Sequence, residues 1–282
     1  MNIFEAIILG IVQGLTEFLP VSSSGHLVLL KQAFDIEPSL FFDTMLHAGT
    51  LTAVFIVLWK DIWAISKKPV QHLTGLLIIA TIPAVIAALT FKDAIESIFI
   101  SARFLGWCFL ITTVFLVTAE LLSRRTGKKK TDKEENQLTQ NKSKSESCSV
   151  LQALFIGIMQ AIAIPPGISR SGATISGALF CRLDRDFAAR FSFLMSIPAI
   201  LGAVVLQTKE LLDASAAQLS VQAGIGAMPV VAGTLTAAVV GFFAVKFMLK
   251  IIREKSLFGF AIYTGVLGIF ILIDQAALGL IF

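Results

Sequence analysis

Charge and cysteine are what this chain has least of. Asp, Glu, Lys and Arg make up 15% of its 282 residues, against 56% hydrophobic residues. So little charge cannot cover the surface of a soluble domain of this length, and the composition reads as a polytopic membrane protein. The three cysteines, Cys108, Cys148 and Cys181, have neither metal-site spacing nor a disulfide framework. All three are expected free, with Cys108 and Cys181 as packing residues. The opening residues, MNIFEAIILG, lack a basic n-region and a small-residue cleavage site, so no removable signal peptide is expected. The net charge of +4 raises nucleic acid as a partner. The basic residues, however, collect at the ends of apolar runs, where they act as topology signals and lipid-surface contacts. The expected partner is therefore the lipid bilayer, with no nucleic acid.

Long apolar runs lie at roughly 40–59, 73–91, 102–122, 187–207, 223–247 and 257–281, each near the ~20 residues that a helical span needs. Between the third and fourth, residues 123–149 are polar and charged and predict a disordered or loosely helical linker. The segments 60–72, 123–149, 182–190 and 246–255 fall at one set of span ends and hold 3, 8, 3 and 4 basic residues, 18 of the 23. Lys31, Lys92, Arg103 and Lys209 fall near the opposite ends, and Arg170 lies inside an apolar stretch. The positive-inside rule makes the rich ends cytoplasmic and both termini external.

Two further stretches are apolar but broken. Residues 157–177, GIMQAIAIPPGISRSGATISG, break at Pro165-Pro166-Gly167 and then carry Arg170 between two serines. Residues 10–27, GIVQGLTEFLPVSSSGHL, repeat the plan: Gly10 to Gln13 match Gly157 to Gln160, and Ser22, Ser24 and Gly25 match Ser169, Ser171 and Gly172, at a common offset of 147 residues. Each has too few apolar residues before its break to span, which suits a re-entrant helical hairpin. The expected fold is an all-α polytopic integral membrane protein of two inverted-topology repeats, each one re-entrant hairpin plus three transmembrane helices. The first repeat is 1–122 with its hairpin at 2–34. A basic cytoplasmic linker follows at 123–149, then a second repeat at 150–282 with its hairpin at 150–181, all forming one integrated membrane domain. Three spans per repeat, an odd number, insert the second upside down, a transporter-like plan in which discontinuous helices meet near the midplane.

Irregular backbone at membrane depth is tolerated where protein buries it or a cavity wets it, so two facing breaks imply a polar cavity. A helix restarts after each break, and its free N–H groups with neighbouring hydroxyls make an anion site. Ser22, Ser23, Ser24, Ser169, Ser171 and Thr174 supply the hydroxyls, and Arg170 a fork suited to phosphate oxygens. Gln13 and Glu17, four apart, share a helix face, and His26 lies three after Ser23. Glu, Ser and His can together deprotonate, attack and hold a leaving group. The second broken stretch has no carboxylate and no histidine, so one repeat carries the chemistry and the other the charge. The plainer readings are close packing for the serines and a structural ion pair for Glu17 with Arg170. Asp43 and His47 read as packing or supporting groups, and His72 as a loop residue.

QGLTEFLPVSSSGH (13–26) and PGISRSGAT (166–174) resemble the two signature motifs of the bacterial undecaprenyl pyrophosphate phosphatase family, the bacitracin-resistance family. FFDTMLHAGTL (41–51) and FSFLMSIPA (191–199) resemble further family segments, so the likeness covers the whole chain. It implies an integral membrane enzyme of the bacterial cell membrane. The enzyme removes the terminal phosphate of undecaprenyl diphosphate, recycles the lipid carrier of peptidoglycan synthesis and confers bacitracin resistance. The resemblance also implies an active site facing the outer side and dependence on a divalent cation, Ca2+ or Mg2+. The family's Glu/Gln-x-x-x-Glu motif falls on Gln13 and Glu17, which become the expected metal-binding residues. Its serine pair falls on Ser22 and Ser23 and its histidine on His26, and the second motif falls on Ser169, Arg170, Ser171 and Thr174. Many members carry Glu where this chain has Gln13, which removes a charge.

The sequence reading assigns Glu17, Ser23, His26 and Arg170 to catalysis, and Ser22, Ser24, Ser169, Ser171 and Thr174 to the diphosphate. Ser23 is the expected nucleophile and His26 the general base or acid, with direct attack by His26 or by water as alternatives. A polyprenyl-phosphate flippase or secondary transporter without hydrolysis, and an anion-conducting pore, are the rival functions; a homodimer is a further partner this reading admits.

Overall fold

The structure is a computed structural model that describes residues 1–91, 95, 97, 102–131, 148–213 and 226–282. The expectations for 132–147 in the linker and for 223–225 at the start of one apolar run lie outside the described residues.

Every regular element among the described residues is helical, because the apolar runs must satisfy their backbone groups internally in lipid. The first half holds α1 (Ile3–Thr16), α2 (Ser23–Ala33), α3 (Leu40–Val57), α4 (Trp59–Lys67), α5 (His72–Thr90) and α6 (Leu105–Thr131). The second holds α7 (Val150–Ile162), α8 (Arg170–Phe180), α9 (Arg185–Asp213), α10 (Ala227–Glu254) and α11 (Phe258–Ile273), which ends in one π-helical turn, Asp274–Leu278. Five helices are long and apolar enough to cross a membrane, and six if α3 and α4 count as one bent span, so the chain is a polytopic membrane protein. The bend between α3 and α4 is 77°; most of the basic span-end segment 60–72 lies in the short helix α4, whose Trp59 and Trp63 are stacked and exposed. α6 continues through Thr131, past the expected start of the linker at 123.

α1 and α7, the first arms of the two broken stretches, have 14 and 13 residues, about 20 Å each and too short for a ~30 Å hydrocarbon core. Both open on the same device. Asn2 and Glu5 cap α1 reciprocally, and Ser149 and Gln152 cap α7 in the same way. Each short helix packs on a long helix of the other half through glycine. A Cβ on Gly10 would lie 2.5 Å from Gly233 O of α10, one on Gly14 would lie 2.9 Å from Gly241 N, and one on Gly157 would overlap Ala80 O of α5. Small residues of this kind let backbones approach where lipid offers no hydrophobic drive.

The segments rich in Lys and Arg meet at one end of the bundle. There Arg190 binds Asp61 at 2.9 Å and Arg253 binds Asp186 at 2.5 Å. The buried Glu120 of α6 accepts from Arg124 at 2.9 Å, Arg185 at 2.7 Å and Leu257 N at 3.1 Å. Toward the opposite end Lys31 pairs with Asp43 at 2.5 Å. The three cysteines are free, and burial pushes the Cys148 thiol up to about 11, so it stays a neutral packing group.

Candidate active site

Proline, which has no N–H and disfavours helix in the residue before it, explains both interruptions. α1 ends ahead of Pro20 and α7 ahead of Pro165-Pro166. Gly167 then takes φ +95°, and a Cβ there would also lie 2.7 Å from that of Cys108. Ser22 takes φ 69° without glycine's freedom, and hydrogen bonds hold it. Its Oγ accepts from Gly25 N at 3.3 Å and from Gly167 N at 3.1 Å. The cap of α2 is thus also the brace of the second interruption. Thr112 of α6 accepts from Ser169 N at 2.9 Å and donates to Gly167 O at 3.0 Å. Ser171 Oγ donates to Leu19 O at 3.0 Å. The two broken stretches therefore touch, and α2 and α8 both begin near the contact.

Glu17, its side chain 3% exposed, sits at the centre. Its Oε1 takes an Arg170 amino group (Nη2). Its Oε2 accepts from Ser23 Oγ at 2.5 Å and from Gln13 Nε2 at 3.0 Å. His47 Nδ1 lies 3.3 Å from the same oxygen and 2.9 Å from Gln13 Nε2. The charge-assisted bonds to Arg170 compensate a carboxylate that burial alone would penalise heavily. The second amino nitrogen of Arg170, Nη1, is buried and without a partner among the described residues.

The structure brings Gln13, Glu17, Ser23 and Arg170 into one cluster. It uses Ser22, Ser169, Ser171 and Thr174 differently: their hydroxyls tie down the backbone around the breaks. Ser169 Oγ accepts from Gly172 N at 3.0 Å, and Thr174 Oγ1 donates to Arg170 O at 2.9 Å and lies 2.6 Å from Ser192 Oγ. Ser24 is half-buried, its hydroxyl 3.4 Å from that of Ser22. His26 does not face Ser23. Its Nδ1–H donates to Ser22 O at 2.7 Å, so its Nε2 accepts from Tyr263 OH at 2.6 Å, and the ring stacks on Tyr263 with centroids 5.6 Å apart.

Thr112, Ser192 and Tyr263 are residues that sequence reasoning did not bring to the site, and it read His47 only as a packing or supporting group. For His47 a signal existed: Asp43, His47 and Thr50 make a polar stripe on the otherwise apolar α3, and Thr50 is fully buried. For Tyr263 there was none, since it stands 237 residues from His26.

A divalent cation shared by positions 13 and 17 does not fit this donor set. Arg170 takes one Glu17 oxygen and Ser23 the other. Gln13 turns a nitrogen, which donates, toward Glu17, while its Oε1 is buried and unpartnered among the described residues. No three His, Cys, Asp or Glu side chains among the described residues group as a metal site.

A family model described as "Bacitracin resistance protein BacA" matches residues 6–270. An "Undecaprenyl-diphosphatase" of Carboxydothermus hydrogenoformans is 46% identical over 278 residues, 98% of this chain and 99% of that relative. An "Undecaprenyl-diphosphatase 4" of Bacillus cereus is 45% identical over 276 residues, 98% of each. An "Undecaprenyl-diphosphatase" of Methanosphaera stadtmanae is 39% identical over 302 aligned positions, 99% of this chain and 100% of the relative.

Proposed function

We infer the function of this chain from its family: it belongs to the bacitracin resistance protein BacA family, and it hydrolyses undecaprenyl diphosphate to undecaprenyl phosphate and inorganic phosphate. The product is the lipid carrier of peptidoglycan synthesis, and its regeneration confers bacitracin resistance. Relatives at 45–46% identity bear phosphatase names, which favours hydrolysis over lipid transfer without it.

The observation that carries the mechanism is the Arg170–Glu17–Ser23 chain across the two breaks. Ser23 Oγ attacks the terminal phosphorus and its proton passes to Glu17 Oε2. The bond from that phosphorus to the bridging oxygen breaks, and undecaprenyl phosphate leaves. Water then attacks the phosphoserine, the bond from phosphorus to Ser23 Oγ breaks, Glu17 returns its proton to that oxygen, and inorganic phosphate is released carrying the water's oxygen and protons. Arg170, through Nη1, and the first-turn N–H groups of α2 and α8 meet the charge that builds on the phosphoryl oxygens. His26 holds the start of α2 through Ser22 and Tyr263 and does not move the proton. The divalent cation expected from the family has no step in this scheme.

In this reading the halves 1–122 and 150–282 are inverted repeats joined by 123–149. Its support is that both short helices open on the same cap and that each packs a glycine on a long helix of the other half. The Lys- and Arg-rich end is cytoplasmic by the positive-inside rule, which puts both termini outside. The site then opens to the outer side.

The test is phosphate release from undecaprenyl diphosphate by the purified protein in detergent. Ser23→Ala, Glu17→Ala and Arg170→Ala are each expected to lower release by about 100-fold or more. Wild-type protein that binds the lipid yet releases no phosphate, with or without added Mg2+ or Ca2+, would sink the reading in favour of transfer without hydrolysis.

A further inference from the structure

His47 stands at the centre with no task in the scheme above, and Gln13 determines which of its ring nitrogens carries hydrogen. Gln13 Nε2 lies 3.0 Å from Glu17 Oε2, a carboxylate oxygen that accepts. Turning the amide over would set its carbonyl oxygen against that oxygen, so the nitrogen faces Glu17. An amide nitrogen has two hydrogens. One goes to Glu17, and the other meets His47 Nδ1 at 2.9 Å. Nδ1 lies 3.3 Å from Glu17 Oε2 but 2.9 Å from Gln13 Nε2; with the nearer amide as its donor Nδ1 accepts, and the neutral imidazole holds its hydrogen on Nε2. That nitrogen bonds no group among the described residues. It is also absent from the buried unpartnered atoms, and the His47 side chain is 29% exposed where that of Glu17 is 3% exposed. The result is an N–H donor with an accessible face, on a ring whose other nitrogen lies 3.3 Å from the Glu17 oxygen that receives Ser23.

We propose that His47 is a further catalytic residue: its Nε2–H, oriented by Gln13, donates to an oxygen of the phosphoryl group under attack. The donor complements Arg170 Nη1. It transfers no proton and needs no charge on the ring, so His47 serves as a neutral hydrogen-bond donor to charge that develops in the transition state. The proposal rests on the phosphatase reading given above. It also gives residue 13 a role in this chain: a glutamate there would accept rather than donate, and would call for hydrogen on Nδ1.

Amide isosteres separate the two ring nitrogens, since an asparagine amide covers the Nδ1 position and a glutamine amide reaches the Nε2 position. In phosphate release from undecaprenyl diphosphate, His47→Ala and His47→Asn are expected to lose about 10- to 100-fold in kcat/KM, while His47→Gln stays within about threefold of wild type. Thermal unfolding verifies that each variant is folded. Full activity in His47→Asn, or equal activity in all three variants, overturns the proposal. A second arm does not depend on turnover. With 15N-histidine in the intact protein, and His72→Gln and His26→Gln to assign the signals, His47 is expected as the Nε2–H tautomer in wild type and as the Nδ1–H tautomer in Gln13→Glu. Added inorganic phosphate is expected to shift the wild-type Nε2 resonance. A wild-type Nδ1–H tautomer, or no response to phosphate, also overturns it. Wild-type protein without phosphate release counts instead against the phosphatase reading.

Discussion

Gln13 leaves the centre with one carboxylate where a glutamate would give it two. The single carboxylate is bound by Arg170, Ser23 and Gln13 itself, so charge there balances without an ion between positions 13 and 17. Gln13→Glu adds a like charge one helical turn from Glu17, and an added cation would relieve the repulsion. Phosphate release by Gln13→Glu is accordingly expected to rise more steeply with added Mg2+ or Ca2+ than release by wild type. The same response in both proteins would show that residue 13 has no part in how the enzyme uses a cation. At this scale Glu17, Ser23 and Arg170 were legible because polar groups are costly in an apolar stretch and the two stretches repeat each other. The pairing of Glu17 with Arg170, weighed first as a plain structural ion pair, is present and lies at the heart of the site. The direction of the His26 ring was not legible. Spacing put it one turn from Ser23, but the hydroxyl that claims its Nε2 comes from α11, where nothing in the local pattern points to it.

The short helices were readable as elements, since their length and the prolines that stop them are properties of the chain itself. Their seats were not, because a glycine looks the same whether it faces lipid or a neighbouring backbone. Gly157 faces the Ala80 carbonyl, whereas a Cβ on Gly75 of α5 would meet nothing within 4 Å. Gly157→Val is therefore expected to push α7 off α5 and destabilise the protein by about 1–3 kcal/mol, seen as an earlier thermal transition in detergent. Gly75→Ala is the control. It is expected to unfold at the same or a slightly higher temperature, since alanine is the better helix former; a matching loss in both would mean that the glycine seat on α5 is not what holds α7. The sharp turn after α3 was also hidden from the sequence. Neither proline nor glycine marks Leu58, and the residues after 59 read only as a basic segment at a span end.

Across the whole molecule, the Lys and Arg distribution foretold that distant segments share one end, and the ion pairs there bear this out. What the distribution could not disclose is that one buried acid organises part of that end. Glu120 joins α6, α9 and the start of α11 and lies eight residues, about 12 Å along the helix, from the Thr112 that braces the second break. Glu120→Ala leaves Arg185 without its buried partner and is expected to cost about 3–5 kcal/mol of stability. Release per folded molecule is expected to stay within about threefold of wild type; a collapse of turnover in folded protein would instead tie this end to the site. The contact between the two breaks also has a meaning in time. Glu17 and the arginine that neutralises it are 153 residues apart, so at ribosomal speed the acid is made roughly eight to thirty seconds before its partner. During that interval the first half must keep Glu17 protonated or wet. In the scheme proposed above, the site is complete only once the second half has brought Arg170 to Glu17.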